Sequence, residues 1–112
     1  MNQKDRRIKR DVELKEAKEL IKKRSNGICE HCKKNYATDF AHTIRKNRDN
    51  YKFYSDPNNM NHWCRKDHDL FDKRKVKEFA EINIENFFNL MDFLLKNNQL
   101  NAYYTYMDIY NE

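Results

Sequence analysis

Two cysteines at C-x2-C spacing, Cys29 and Cys32, and a third at Cys64 constrain this chain more than any other feature. Such a knuckle presents two thiolates at the bite that a tetrahedral metal ion accepts, and a third thiol just before a helical stretch adds another ligand. The rest of the sequence makes a cross-link valuable. Charged residues are 37% of the 112 and mean hydropathy is −1.21. Leu, Ile, Val and Phe supply about a fifth of the chain, near the lower bound for an ordered domain. A single domain this polar buries a modest core, so a metal staple adds stability that packing cannot.

Zinc is the expected staple, and its fourth ligand has two readings. Asp67 gives C-x2-D after Cys64 and His68 gives C-x3-H, and zinc takes either oxygen or imidazole nitrogen. His62 and His31 are weaker choices, with His31 expected on the solvent side of the knuckle. The cysteine count is odd, and no apolar run follows the opening Met-Asn-Gln-Lys-Asp-Arg-Arg. Both features point to reduced thiols in a cytoplasmic protein. No apolar run approaches the roughly 20 residues of a membrane span.

Charge divides the chain into three parts. Residues 1–24 and 25–77 each carry a net +5, and residues 78–112 carry −5. A basic front suits a polyanion, because Lys and Arg displace the counterions condensed on phosphate. A nucleic acid is therefore an expected partner, with the acidic tail turned away from it.

The apolar spacing predicts a helix over residues 9–24, stopped by Ser25-Asn26-Gly27, where Gly27 is the only glycine. Strand character is expected over 40–44 and a second strand at 51–54, followed by an Asp56-Pro57-Asn58-Asn59 turn. One helix is expected over 65–77 and an amphipathic helix over 85–97. A last, Tyr-rich helix follows, whose aromatics suit core packing or a homodimer seam between C-terminal helices.

His42, in Phe40-Ala41-His42, with Asn59, Cys64 and His68 in the stretch 59–68, resembles the HNH endonuclease superfamily. His42, Arg45, Asp56-Pro57 and Asn59 are similar to the short pattern of phage and mobile-element recombination nucleases. The resemblance covers roughly half the chain. It implies an α+β, mainly helical protein: a zinc-stapled ββα-metal core at 25–77, a basic N-terminal helix at 1–24, and an acidic extension of two helices at 78–112. A phage-encoded chain would act in the host cytoplasm.

The resemblance also implies roles. His42 is the general base that deprotonates water, since a neutral imidazole works near its own pKa. Asn59 orients His42 through an amide–imidazole bond. His68 holds Mg2+ or another divalent ion that stabilises the leaving oxygen as a Lewis acid. The sequence departs from the family at Ala41, where many members carry a metal-binding Asp or His. Asp72 shares a helix face with His68 and is the expected substitute, with Asp39 a weaker one. Asp67 then closes the zinc site, leaving His68 free; were zinc to take His68, the catalytic ion would lose its anchor. Arg45, Lys46, Arg48, Arg65 and Lys66 are expected to grip phosphates without reading bases. The alternative is a non-cleaving, zinc-stapled nucleic-acid-binding or protein-interaction module.

Overall fold

The first helix, α1 (Gln3–Ser25), begins where Asn2 Oδ1 accepts the Asp5 amide at 2.9 Å and ends at Asn26, whose φ of 54° reverses the chain. The computed structural model describes residues 2–47 and 51–112. Gly27, at φ 78°, continues the reversal in a conformation that costs a glycine little. Together these residues turn the chain into the cysteine knuckle.

Two short strands follow, β1 (Asp39–His42) and β2 (Met60–Trp63), paired antiparallel with Asp39 opposite Trp63 and His42 opposite Met60. Helix α2 (Arg65–Asp72) leaves directly from β2. Then come α3 (Val76–Ile82), α4 (Ile84–Lys96) and α5 (Leu100–Tyr110). The fold is α+β and mainly helical.

Three expectations need correction. Residues 51–54 hold a 3-10 turn at Tyr51–Phe53 rather than a strand, and the second strand is Met60–Trp63. The helix expected over 65–77 divides into two. After Asp72, Lys73 caps α2, Arg74 takes φ 56°, and the Lys75 amide bonds back to Leu70 O. Three helices therefore follow α2, where two were expected.

Side chains alternate across the strands, and the two faces meet different partners. Phe40 and Met60 pack with Ala17 and Ile21 of α1, while Ala41 and Trp63 join the larger core with Phe71. That core runs through Phe79, Phe87, Leu94 and Tyr106, crossing the boundary drawn at residue 77 from charge. Its centre is aromatic: Trp63 meets Phe71 and Phe79 at 5.3 Å, and Phe71 meets Tyr106 at 4.9 Å. Among the tyrosines of α5, Tyr106 is buried and Tyr103 and Tyr110 pack against this core.

Arg24 ties α1 to the rest. Its guanidinium donates to both carboxylate oxygens of Glu30 at 2.7 Å, to Met60 O at 2.7 Å and to Pro57 O at 2.9 Å. A bidentate Arg–carboxylate pair of this kind fixes geometry as well as charge. Burial works to raise the Glu30 pKa, but the Arg24 bonds, the His62 backbone amide and the charges of both residues together hold the carboxyl below its usual range. Among the described residues, no helix is long and apolar enough to cross a membrane.

Candidate metal centre and active site

The knuckle is shaped by its own backbone. The Cys29 amide bonds to Asn35 O at 2.8 Å, the Lys33 amide to Cys29 O at 3.0 Å, and Lys33 takes φ 63° to close the turn. Asn35 then points donors at sulfur, its backbone amide to Cys32 Sγ at 3.5 Å and its side chain to Cys64 Sγ at 3.7 Å. Cys64 arrives from the end of β2, and Asp67 from the first turn of α2.

These elements bring Cys29, Cys32, Cys64 and Asp67 together, with one ligand atom from each lying within 4.8 Å of the others. The group can hold a metal ion. Asp67 is 1% exposed, and among the described residues no Lys or Arg pairs with it; the Cys29 thiol donates to its Oδ2 at 3.2 Å. A buried carboxylate with no cation beside it is costly, and a metal ion removes that cost. Burial pushes the Cys29 thiol up to about 12, against the pull of nearby backbone amides. A coordinated cation reverses that balance, since a metal-bound thiol is deprotonated.

His68 stands outside this group. Its Nδ1 lies 2.8 Å from Asp39 Oδ2 and its Nε2 lies 3.1 Å from Asp72 Oδ2. A carboxylate accepts, so Nδ1 carries the hydrogen shared with Asp39. An acceptor at Nε2 as well requires either a second ring proton or a cation shared with Asp72. Asp39 is held firmly. Burial works against its charge, but bonds from His68 and Thr38 and the nearby Arg65 guanidinium keep its carboxyl below the usual range. Arg65 Nε sits 3.0 Å from the same oxygen. Asp39 therefore contacts His68 as directly as Asp72 does, more than its weaker standing in the sequence suggested. It lies two residues before Ala41 and so on the same strand face.

His42 ends β1 on the opposite face, beside Met60. Its Nε2 is 2.8 Å from Tyr54 O, and its ring stacks on Tyr54 at 5.4 Å with 8° between planes. A carbonyl can only accept, so Nε2 carries the hydrogen and Nδ1 keeps the lone pair. Burial, with help from the charges of Lys18, His68 and Lys46, lowers the His42 pKa despite the carbonyl bond. The ring is a neutral base at neutral pH.

Asn59 does not bond to His42. Its Oδ1 accepts the Ile44 amide at 2.6 Å, and its Nδ2 donates to Ile44 O at 3.0 Å and Phe53 O at 3.1 Å. The amide is fully buried and clamps the segment leaving β1 against the 3-10 turn. It thereby fixes both ends of the loop that brings Tyr54 O to His42. The expected direct contact is replaced by support through the backbone.

His31 is also corrected. The ring is fully buried, stacked on Phe79 at 3.7 Å, with Nε2 donating to Phe79 O at 2.7 Å and Nδ1 receiving Asn86 Nδ2 at 2.9 Å. Asn83 Nδ2 adds a bond to His31 O at 2.8 Å. The residue inside the knuckle is the anchor joining it to α3 and α4.

The basic residues divide. Arg45 Nη2 bonds to Asp72 O at 3.1 Å and lies 3.9 Å from Asp72 Oδ1, and Arg65 pairs with Asp39, so both border the His68 group. Lys46 lies over the Tyr54 ring, 4.4 Å from its centroid, and Lys66 is exposed on α2. Arg48 lies outside the described residues. Comparison with family models, with curated proteins and with solved structures finds no match to this chain.

Proposed function

We propose that the chain is an HNH-type endonuclease that hydrolyses DNA phosphodiester bonds with low sequence specificity. In this reading zinc sits among Cys29, Cys32, Cys64 and Asp67, a set of three soft thiolates and one oxygen within zinc's usual choice. The observation that carries it is the state of the two imidazoles: His42 has its bare nitrogen fixed as Nδ1, and His68 has its hydrogen fixed by Asp39, leaving Nε2 toward Asp72.

Each residue then has a task. His42 takes a proton from water at Nδ1, while Tyr54 O holds the opposite N–H and keeps the ring from turning over. Asp39 acts on His68 as a carboxylate acts on a metal-binding histidine, fixing tautomer and direction. His68 Nε2 and Asp72 would hold a divalent ion such as Mg2+, which would supply Lewis-acid stabilisation of the leaving oxygen. Arg45 and Arg65 border that position and attract the phosphate backbone without reading its bases. In-line displacement needs the activated water and the leaving oxygen on opposite sides of the phosphorus, so in this reading the scissile phosphate lies between His42 Nδ1 and the His68–Asp72 pair.

The test is incubation of plasmid with the protein and Mg2+, Mn2+ or Ni2+. Nicking or linearisation by the wild type, lost in His42→Ala at equal DNA binding, is the expected result. Equal binding with no cutting by either protein would overturn the nuclease reading and leave a metal-stapled binding module.

A further inference from the structure

The segment after His42 and the far end of the helical extension line a half-open cavity of 420 Å³. One wall is Thr43 and Arg45, immediately beyond the candidate base; the other is Asn101 and Thr105 of α5, with Tyr106 alongside and Arg74 between α2 and α3. Among the described residues no carboxylate lines it, although α5 belongs to the acidic segment 78–112. Arg74 forms no ion pair with any described residue, and α5 borders the cavity with the face that carries Asn101, Ala102 and Thr105.

Function follows from this chemistry. Two guanidiniums offer forked donors for a phosphate, and on α5 the Asn101 amide can donate to or accept from a base edge, while the Thr105 hydroxyl, which donates to Asn101 O at 2.8 Å, can accept. The volume lies in the range of small-ligand sites and suits one nucleotide. Paired bases lie inside their duplex and cannot enter a cavity unless they leave the stack. Arg45 also touches Asp72, so whatever occupies the cavity is contiguous with the His68 group.

We infer that this cavity receives one unpaired nucleotide of a DNA strand next to the position cut, so that single-stranded, bulged or branched DNA is preferred over plain duplex. The inference rests on the nuclease reading for the cut but not for the binding. It also gives the acidic extension a part in substrate choice, through α5, which shares the cavity with Arg45 and Arg74.

The experiment measures binding of the full chain, without added divalent ion, to a fluorescent single-stranded oligonucleotide and to a blunt duplex of equal length. Asn101→Glu and Thr105→Glu place a negative charge on exposed positions of α5, where folding tolerates them, and Arg74→Ala removes a cation that pairs with no described residue. Each should weaken single-strand binding by about 10-fold, the scale of one lost charged contact, and change duplex binding far less. Thymidine monophosphate should displace the single strand at concentrations where inorganic phosphate does not. Equal effects on both DNAs, or phosphate competing as well as the nucleotide, would overturn the inference. Cleavage of plasmid is read separately. A chain that binds single strands through α5 but never cuts sinks only the nuclease reading, and one that cuts with all three variants unchanged sinks only the cavity.

Discussion

Asp67 and His68 are neighbours in sequence, yet their side chains belong to different centres. Asp67 Oδ2 receives the Cys29 thiol at 3.2 Å inside the sulfur group, whereas His68 is held between Asp39 at 2.8 Å and Asp72 at 3.1 Å. Successive residues on a helix project about 100° apart, so the first turns of α2 can serve a closed ligand group and an open one at once.

Removing the closed group should unfold the protein. Apparent binding free energies of structural zinc in small domains are about 10–16 kcal/mol, comparable with or above a whole domain's stability of about 5–15 kcal/mol. Cys29→Ser combined with Cys64→Ser should therefore abolish the cooperative thermal transition followed by circular dichroism. Asp67→Cys should keep both the transition and about one metal ion per chain by elemental analysis.

Asp39→Asn replaces the acceptor that fixes His68 with a group that can present an amide hydrogen. Loss of such a supporting carboxylate costs about 10–100-fold in metal affinity or activity. The Mg2+ concentration giving half-maximal cleavage should rise by that factor, while DNA affinity without added ion stays within about twofold. An unchanged Mg2+ requirement would remove Asp39 from the site.

Cleavage should climb with pH through a midpoint below the ordinary histidine value of about 6.5, because burial lowers the His42 pKa and the neutral ring is the active one. The stability consequence has a defined sign. Unfolded chains take up this proton first as pH falls, so the contribution of neutral His42 is complete above about pH 6.5 and is lost as pH drops toward the lower folded midpoint. His42→Ala should reduce the cleavage rate by about 10²–10⁴-fold and remove that limb of the profile.

Asn59→Ala leaves the Ile44 amide and two carbonyls without their buried partner. An unsatisfied buried group costs about 1–3 kcal/mol, so a loss of at least about 2 kcal/mol is expected, read as a lower urea midpoint at unchanged slope. Cleavage should fall as well, since the loop carrying Tyr54 O loses its clamp.

The parts of this fold legible in the sequence are those with a strong local signal. C-x2-C spacing marked the knuckle, Asp67 fell at ligand spacing from Cys64, and the apolar stripe of 85–97 coincides closely with α4 (Ile84–Lys96). What escaped depends on contacts distant in the chain. Strand β2 reads as part of an Asn-rich turn, and it pairs with residues some twenty positions away. The break between α2 and α3 has no glycine or proline; Arg74 takes the left-handed turn itself. Asn59 was picked out by spacing, but its partners, Ile44 and Phe53, carry no motif because they contribute only backbone. Nothing local distinguishes a buried His31 from an exposed one, for its burial is created by Phe79 and Asn86 on later helices.

That anchorage has a practical consequence. With one imidazole clasped at both nitrogens by the far half of the polypeptide, the sulfur cage cannot be excised as a free-standing mini-domain. A shortened version ending after α2 would expose an aromatic surface around Trp63 and Phe71 and leave the cage without its brace, so its grip on metal would slacken although every liganding atom were still present.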